Sequence, residues 1–252
     1  MTMSDMQLDL PKIRDQKRRS LMRGARDTIP MLIGAAPFGM IFGALISTSP
    51  MLPWHGQLMS MSVFAGSSQF IATGLVASHT GMLVIWLTTL IVNLRHMLYA
   101  ATLLPHVAHL SARWRWCLGF LLTDETFAVV AGYHQQALSS EERRYSHWYF
   151  LGSGLAMYAN WQVWTLIGLL FGTLFPALQT LGLDYAMVAT FIAIIVPQLN
   201  RFPQFSAALA AGSCAYLLQG LPYKLGLLSA VMTGVIVGMA LTRFAIRSKE
   251  SV

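Results

Sequence analysis

Charge is scarce in this sequence. Only 11% of its 252 residues are Asp, Glu, Lys or Arg, and just ten are acidic. A soluble domain carries about 25% charge, so the polar surface that water requires is missing. With 55% hydrophobic residues and a mean hydropathy of +0.55, the chain is expected to sit in lipid, leaving no length for a separate soluble domain. Cysteine is nearly absent: Cys117 and Cys214 lie in apolar segments without Cys-x-x-Cys or Cys/His spacing, which excludes a disulfide or zinc framework. Fifteen Met and seven His raise the idea of a soft-metal carrier, but they do not recur as Met-x-x-Met or His-x-x-His pairs. No metal and no cofactor are expected.

The net charge of +7 is unevenly placed. Lys12, Arg14, Lys17, Arg18, Arg19, Arg23 and Arg26 all precede the first apolar run. Such a cluster marks a cytoplasmic terminus and an attraction to anionic lipid, not a nucleic-acid partner. The order of a cleaved leader is missing, and the first apolar run is expected to be a permanent span. Residues 1–27 are thus read as a basic cytoplasmic arm, 28–245 as the transmembrane domain and 246–252 as a cytoplasmic tail.

A helix crosses the hydrocarbon core in about 20 residues. Eight candidates fit, at about 29–48, 57–78, 81–104, 116–134, 147–174, 184–200, 204–220 and 223–243. The expected fold is an all-α polytopic membrane protein of about eight transmembrane helices, some kinked or discontinuous. Eight crossings put both termini in the cytoplasm, in agreement with Arg243, Arg247 and Lys249 near the end. Arg113 and Arg115 conflict with this count, which puts their loop outside. Either the charge rule is broken there, or one early segment is re-entrant.

Several segments depart from plain spans. Pro30, Gly34, Pro37, Gly39 and Gly43 predict a kinked or broken first helix, because Pro removes a donor and frees a carbonyl. Phe64-Ala65-Gly66-Ser67-Ser68-Gln69-Phe70 has two readings: small residues for close helix packing, or a broken helix whose exposed N–H groups bind an anion. Asn160, Trp161, Gln162 and Trp164 read as an interfacial belt or a packing surface, and Asp184 as a helix cap.

No Lys, Arg, Asp or Glu occurs from Thr28 to Leu94, and then Asn93-Leu94-Arg95-His96 interrupts an apolar run. Arg at membrane depth is kept where it meets a cavity or a partner. Asn93 and His96 share one helical face, as do His96 and Tyr99, while Arg95 points elsewhere. Its planar fork suits a carboxylate, either of a substrate or of Asp124 or Glu125, which interrupt the fourth run. One acid is expected to pair with Arg95 while the other faces a cavity. Ser67 or Ser68 with His96 has the residue types of an intramembrane hydrolase but not its motif, and an enzyme is not expected.

Four motifs in order, Pro37-Phe38-Gly39, Phe64 to Phe70, Asn93-Leu94-Arg95-His96-Met97-Leu98-Tyr99 and Thr123-Asp124-Glu125-Thr126-Phe127-Ala128, resemble the signature of AzlC-type proteins. These are large subunits of bacterial branched-chain amino acid exporters. The resemblance covers about residues 25–135; beyond that it is mostly hydropathy. It implies export of valine, with leucine, isoleucine and methionine, across the bacterial inner membrane. It also implies proton antiport and a separate, small AzlD-type membrane subunit. An apolar zwitterion needs an anion site, a cation site and a greasy pocket. Gly66, Ser67, Ser68, Gln69, Asn93 and Arg95 are candidates to bind substrate. Asp124, Glu125 and His96 are candidates for proton coupling or ion pairing, and Phe38, Phe64, Phe70 and Tyr99 for the pocket lining. A scaffold or channel subunit whose buried charges serve only assembly is the competing class.

Overall fold

The computed structural model describes residues 3–136, 139–172, 192, 196, 199–221 and 225–250. Asp184, and most of the segment expected at 184–200, lie outside these. Among the described residues the structure is all helical, with α1 (Met3–Asp27), α2 (Ile29–Ser47), α3 (Pro53–Ser62), α4 (Gly66–Ala77), α5 (Met82–Val107), α6 (Ala112–Phe120), α7 (Asp124–His134), α8 (Ser140–Arg144), α9 (Ser146–Phe171), α10 (Phe202–Leu217) and α11 (Leu225–Glu250). Contacts divide the chain into two units. One is drawn from Met1–Thr80 and Val92–Thr190, the other from Gly81–Ile91 and Phe191–Val252.

The first unit is organised around α9, whose 26 residues extend about 39 Å. Contacts with α1 and α2 rise in number on both sides: Ser20 with Tyr145, Thr28 with Ser153, Leu32 with Asn160, Gly39 with Trp164 and Ser47 with Leu169. The helices therefore run parallel. Gly39-x-x-x-Gly43 faces Gly168-x-x-x-Gly172, and the backbones touch. A Cβ on Gly43 would collide with the Thr165 carbonyl, and one on Gly168 with that of Met40. Small residues at this spacing let helices meet without a hydrophobic driving force. α2 is continuous through Pro37, so this helix is not broken. The basic arm is helical and packs on α9 through Gly24 and Gly152.

The segments expected as spans at 57–78 and 116–134 are instead hairpins. In the second, α6 rises alongside α9, from Trp114 against Trp148 to Phe120 against Tyr158. The chain turns at 121–123, with Leu121 against Gly154, and α7 descends to stack Tyr133 on Tyr149. α7 also runs parallel to α5, through Arg95–Asp124, Tyr99–Phe127 and His106–His134. The first hairpin enters from the opposite end. α3 starts with Gly56 against Ile46 and reaches Phe64 against Tyr158; α4 turns back to set Phe70 against Phe42. The Gln69–Ser60 hydrogen bond straddles its turn. At 9 to 12 residues each, the four arms extend about 14–18 Å, half of a hydrocarbon core.

Hydropathy counts apolar residues but is blind to the direction of the chain after a break. Phe64 turns the first tip with φ 46, a left-handed backbone uncommon for an aromatic residue. At the second tip, Thr123 accepts from the N–H of Thr126 and starts α7 afresh. The hairpins also remove the conflict over Arg113 and Arg115. Trp114, between them, packs on Trp148, and Lys17 lies 5.6 Å over the same Trp148 ring. Both arginines therefore fall at the end of the bundle that holds the basic arm and Arg143-Arg144. The opposite end, at 48–56 and 78–80, carries no Lys, Arg, Asp or Glu.

In the second unit α10 and α11 pack antiparallel, with Gly234 on Ala211 and Gly238 on Ala207. Cys214 lies there near Thr233, and both cysteines are free.

Candidate functional site

The two hairpin tips meet near the midpoint of α9. Phe64, Phe120 and Tyr158 form a three-ring cluster with centroids 4.9–6.2 Å apart. Beside it, Arg95 of α5 reaches both hairpins. One guanidinium nitrogen pairs with the Asp124 carboxylate at 2.9 Å, and the other donates to the Ser67 hydroxyl at 2.7 Å. Ser67 and Asp124 occupy the first turns of α4 and α7, so Arg95 ties together the starts of the two returning half-helices. Tyr99, one helical turn along α5, donates to the other Asp124 oxygen at 2.6 Å and stacks on Phe127. Arg95 therefore shares its face with Tyr99, an i,i+4 relation. Asp124 lies nearly buried and Arg95 mostly so, with side-chain exposures of 10% and 24%. Glu125, half-buried, projects from the adjacent position of α7 and makes no ion pair among the described residues.

The remaining expected site residues divide by environment. Ser68 donates to the Ala65 carbonyl, and Gly66 fits under the Trp161 ring. Gln69 is fully buried and spent internally: its NH2 donates to Ser60 and its carbonyl accepts from the Trp161 indole. Phe38, Phe64 and Phe70 belong to an aromatic core with Phe42 and Trp161. His96 holds its Nδ1 at 3.2 Å from the Asn93 carbonyl, so neither Ser67 nor Ser68 forms the Ser–His pair of a hydrolase. The Asn93 side-chain oxygen and the Arg95 Nε are buried and have no hydrogen-bond partner.

Sequence reasoning left out Gln57, Ser60 and Thr165, which with Gln162 fasten the first hairpin to α9. Ser60 meets Thr165 at 2.9 Å, Gln162 donates to the Ser60 carbonyl, and Gln57 donates to Gln162. The Asn160–Trp164 patch was the available signal. It lies mid-helix and packs on α2 and the first hairpin through Asn160, Trp161 and Gln162. Its i+3 neighbour Thr165 completes the network.

A second polar cluster closes the basic end. Arg23 pairs with Glu142 at 2.7 Å, Gln16 donates to Glu141, and Tyr149 donates to Asp27. A cavity of about 370 Å³ lies among Arg19, Arg23, Tyr133, Glu141 and Tyr145. Bonds from Ser139, and then from Arg23, hold the Glu142 carboxyl down at about 2.

The family model for the AzlC protein matches residues 30–175, which include both hairpins, Arg95, Asp124 and α9. The chain belongs to the AzlC family. It is 25% identical over 226 residues to an Escherichia coli (strain K12) protein named "Inner membrane protein YgaZ", covering 87% of this chain and 88% of that one. An uncharacterized membrane protein of Helicobacter pylori (strain ATCC 700392 / 26695) is 30% identical over 69% of this chain and 73% of its own. The "Branched-chain amino acid transport protein AzlC" of Bacillus subtilis (strain 168) is 26% identical over 72% of this chain and 69% of its own. No solved structure matches. This AzlC-family chain is a membrane protein, and among the described residues helices α2 and α5 are long and apolar enough to cross a bilayer.

Proposed function

We propose that this chain is a multi-pass carrier of the bacterial inner membrane that exports branched-chain amino acids. Valine is the first substrate, with leucine, isoleucine and methionine. The Bacillus subtilis relative's name supports the substrate class. The observation that carries the reading is the meeting of two opposed half-length hairpins around Arg95. Such broken helices at mid-depth are how membrane transporters place backbone and side-chain donors next to a substrate. The basic end faces the cytoplasm by the positive-inside rule, which places α1 inside, and the basic tail places the C-terminus there too.

Arg95 Nε–H is a buried donor without a partner and is the group offered to a substrate carboxylate. The aromatic cluster offers the apolar contact. Asp124 is already engaged by Arg95 and Tyr99, so it acts as the lock. Glu125, which makes no ion pair among the described residues, is the carboxyl that takes up a proton as substrate leaves. The family resemblance adds a small AzlD-type subunit as the working partner.

In the competing scaffold reading the same Arg95–Asp124 pair ties α5 to α7 and serves assembly alone. Proteoliposomes loaded with labelled valine test the assignment. Concentrative counterflow is expected from the wild type and is not produced by a scaffold or a channel. Glu125→Gln should keep counterflow and lose gradient-driven efflux. If Glu125→Gln keeps full gradient-driven efflux, the coupling assignment is wrong.

A further inference from the structure

The two hairpins enter from opposite ends, and three residue pairs around them are related by one fixed step along the sequence. Phe42 of α2 meets Phe70 of α4 edge to face at 5.7 Å; Tyr99 of α5 meets Phe127 of α7 at 4.4 Å. Both partners have moved by the same 57 positions along the sequence. Ser67 and Asp124, the two residues Arg95 grips, are related by that same step. The helix ends follow it closely: Pro53 and Ala112 open the inward arms, Gly66 and Asp124 the returning arms, and Ala77 and His134 close them. Each copy is a long helix followed by a half-length hairpin. In the first copy the long helix runs parallel to α9, and in the second its Arg95–Val107 portion runs antiparallel to α9, alongside descending α7.

We infer that residues 29–77 and 92–134 are two inverted copies of one helix-plus-hairpin unit, and that the hairpins are the two gates of a single path sealed by Phe64, Phe120 and Tyr158. Inverted repeats give a carrier its two faces, because one protein can exchange the conformations of its two halves. The assignment of gates rests on the transport reading above; the repeat itself does not.

The fastenings of the two gates differ. The first hairpin is held to α9 by uncharged groups: Ser60 on Thr165, Gln162 on the Ser60 carbonyl, and Trp161 on Gln69. The second is held to α5 through the Asp124 carboxylate. Because Arg95 touches both tips, opening either hairpin requires breaking one of its two contacts while the other holds. Phe64, whose backbone is left-handed at φ 46, sits at the first turn, where the chain reverses. Both gates are closed in this structure, with the three rings in contact.

The test uses the full chain with Cys117→Ser and Cys214→Ser, carrying Phe64→Cys and Phe120→Cys together, reconstituted and treated with a short bifunctional maleimide. The pair is expected to cross-link, because the native rings lie 6.2 Å apart. Cross-linking should cut valine counterflow at least tenfold relative to the same double-cysteine protein before treatment. Failure to cross-link, or full counterflow from cross-linked protein, overturns the gate assignment. A wild type without counterflow would overturn the transport reading instead. A second variant guards against misfolding of the pair. Phe120→Ala, which leaves Arg95, Ser67 and Asp124 in place, should leak valine down its gradient at least several-fold faster than wild type, and unchanged leakage counts against the seal.

Discussion

Replacing Asp124 by Asn removes a charge and keeps the shape. At 2.9 Å and an effective dielectric near 20, the Arg95–Asp124 attraction is roughly 6 kcal/mol before desolvation is subtracted. Deleting one partner of a buried pair costs about 3–5 kcal/mol, because the other charge is left uncompensated. Arg95 retains 24% exposure, so water recovers part of that loss and about 2–4 kcal/mol is expected. For a chain of this size each kcal/mol moves the melting temperature by about 2–4 °C. Asp124→Asn should therefore melt roughly 5–15 °C below wild type in detergent, read by size-exclusion chromatography after heating. Arg95→Gln should fall by a similar amount. The double variant should lie well above the sum of the two losses, since neither charge is then stranded. If the losses add to within about 0.5 kcal/mol, the pair is not coupled and the argument fails.

Gly168→Leu puts a side chain where the Met40 carbonyl lies, and should cost more than about 4 kcal/mol, seen as loss of monodisperse protein. Trp161→Phe strands the buried Gln69 carbonyl oxygen and should cost about 1–3 kcal/mol in the same melting assay. The Glu142 carboxyl titrates below its ordinary value, so its hold on α1 is complete above about pH 4.3 and fades as the pH falls toward 2. Tryptic cleavage at Arg18 and Arg19 should then be faster at neutral pH in Glu142→Gln than in wild type; equal rates would deny Glu142 a part in fastening α1.

Much of this architecture is written locally. The charge-free run from Thr28 and the basic arm announce a membrane protein, and the Asn93–Tyr99 and Thr123–Ala128 motifs mark the residues that meet at the tips. Arg95 and the two acids stand out because charge is costly in lipid. What is not local is direction. A run such as 116–134 has the same hydropathy whether it crosses or folds back, and the turn at 121–123 carries no Pro or Gly to announce it. For the first hairpin the clue lay in Arg113 and Arg115: a segment before them that returns to its own side moves their loop to the basic face. Gln69 misled for a different reason. A buried amide marks either a ligand or a fastening, and only the position of Trp161 and Ser60 decides between them.

The opposed hairpins are the centre of this account, and sidedness tests them directly. Single cysteines at Ser111 and Gln136, and at Leu52 and His79, can be introduced into the chain lacking Cys117 and Cys214. Each is then labelled with a membrane-impermeant thiol reagent in right-side-out and inverted vesicles. The hairpins predict that 111 and 136 react from the same face as the N-terminus, and that 52 and 79 both react from the other. Labelling of 111 and 136 from opposite faces would contradict the fold described here and the two-gate path built on it.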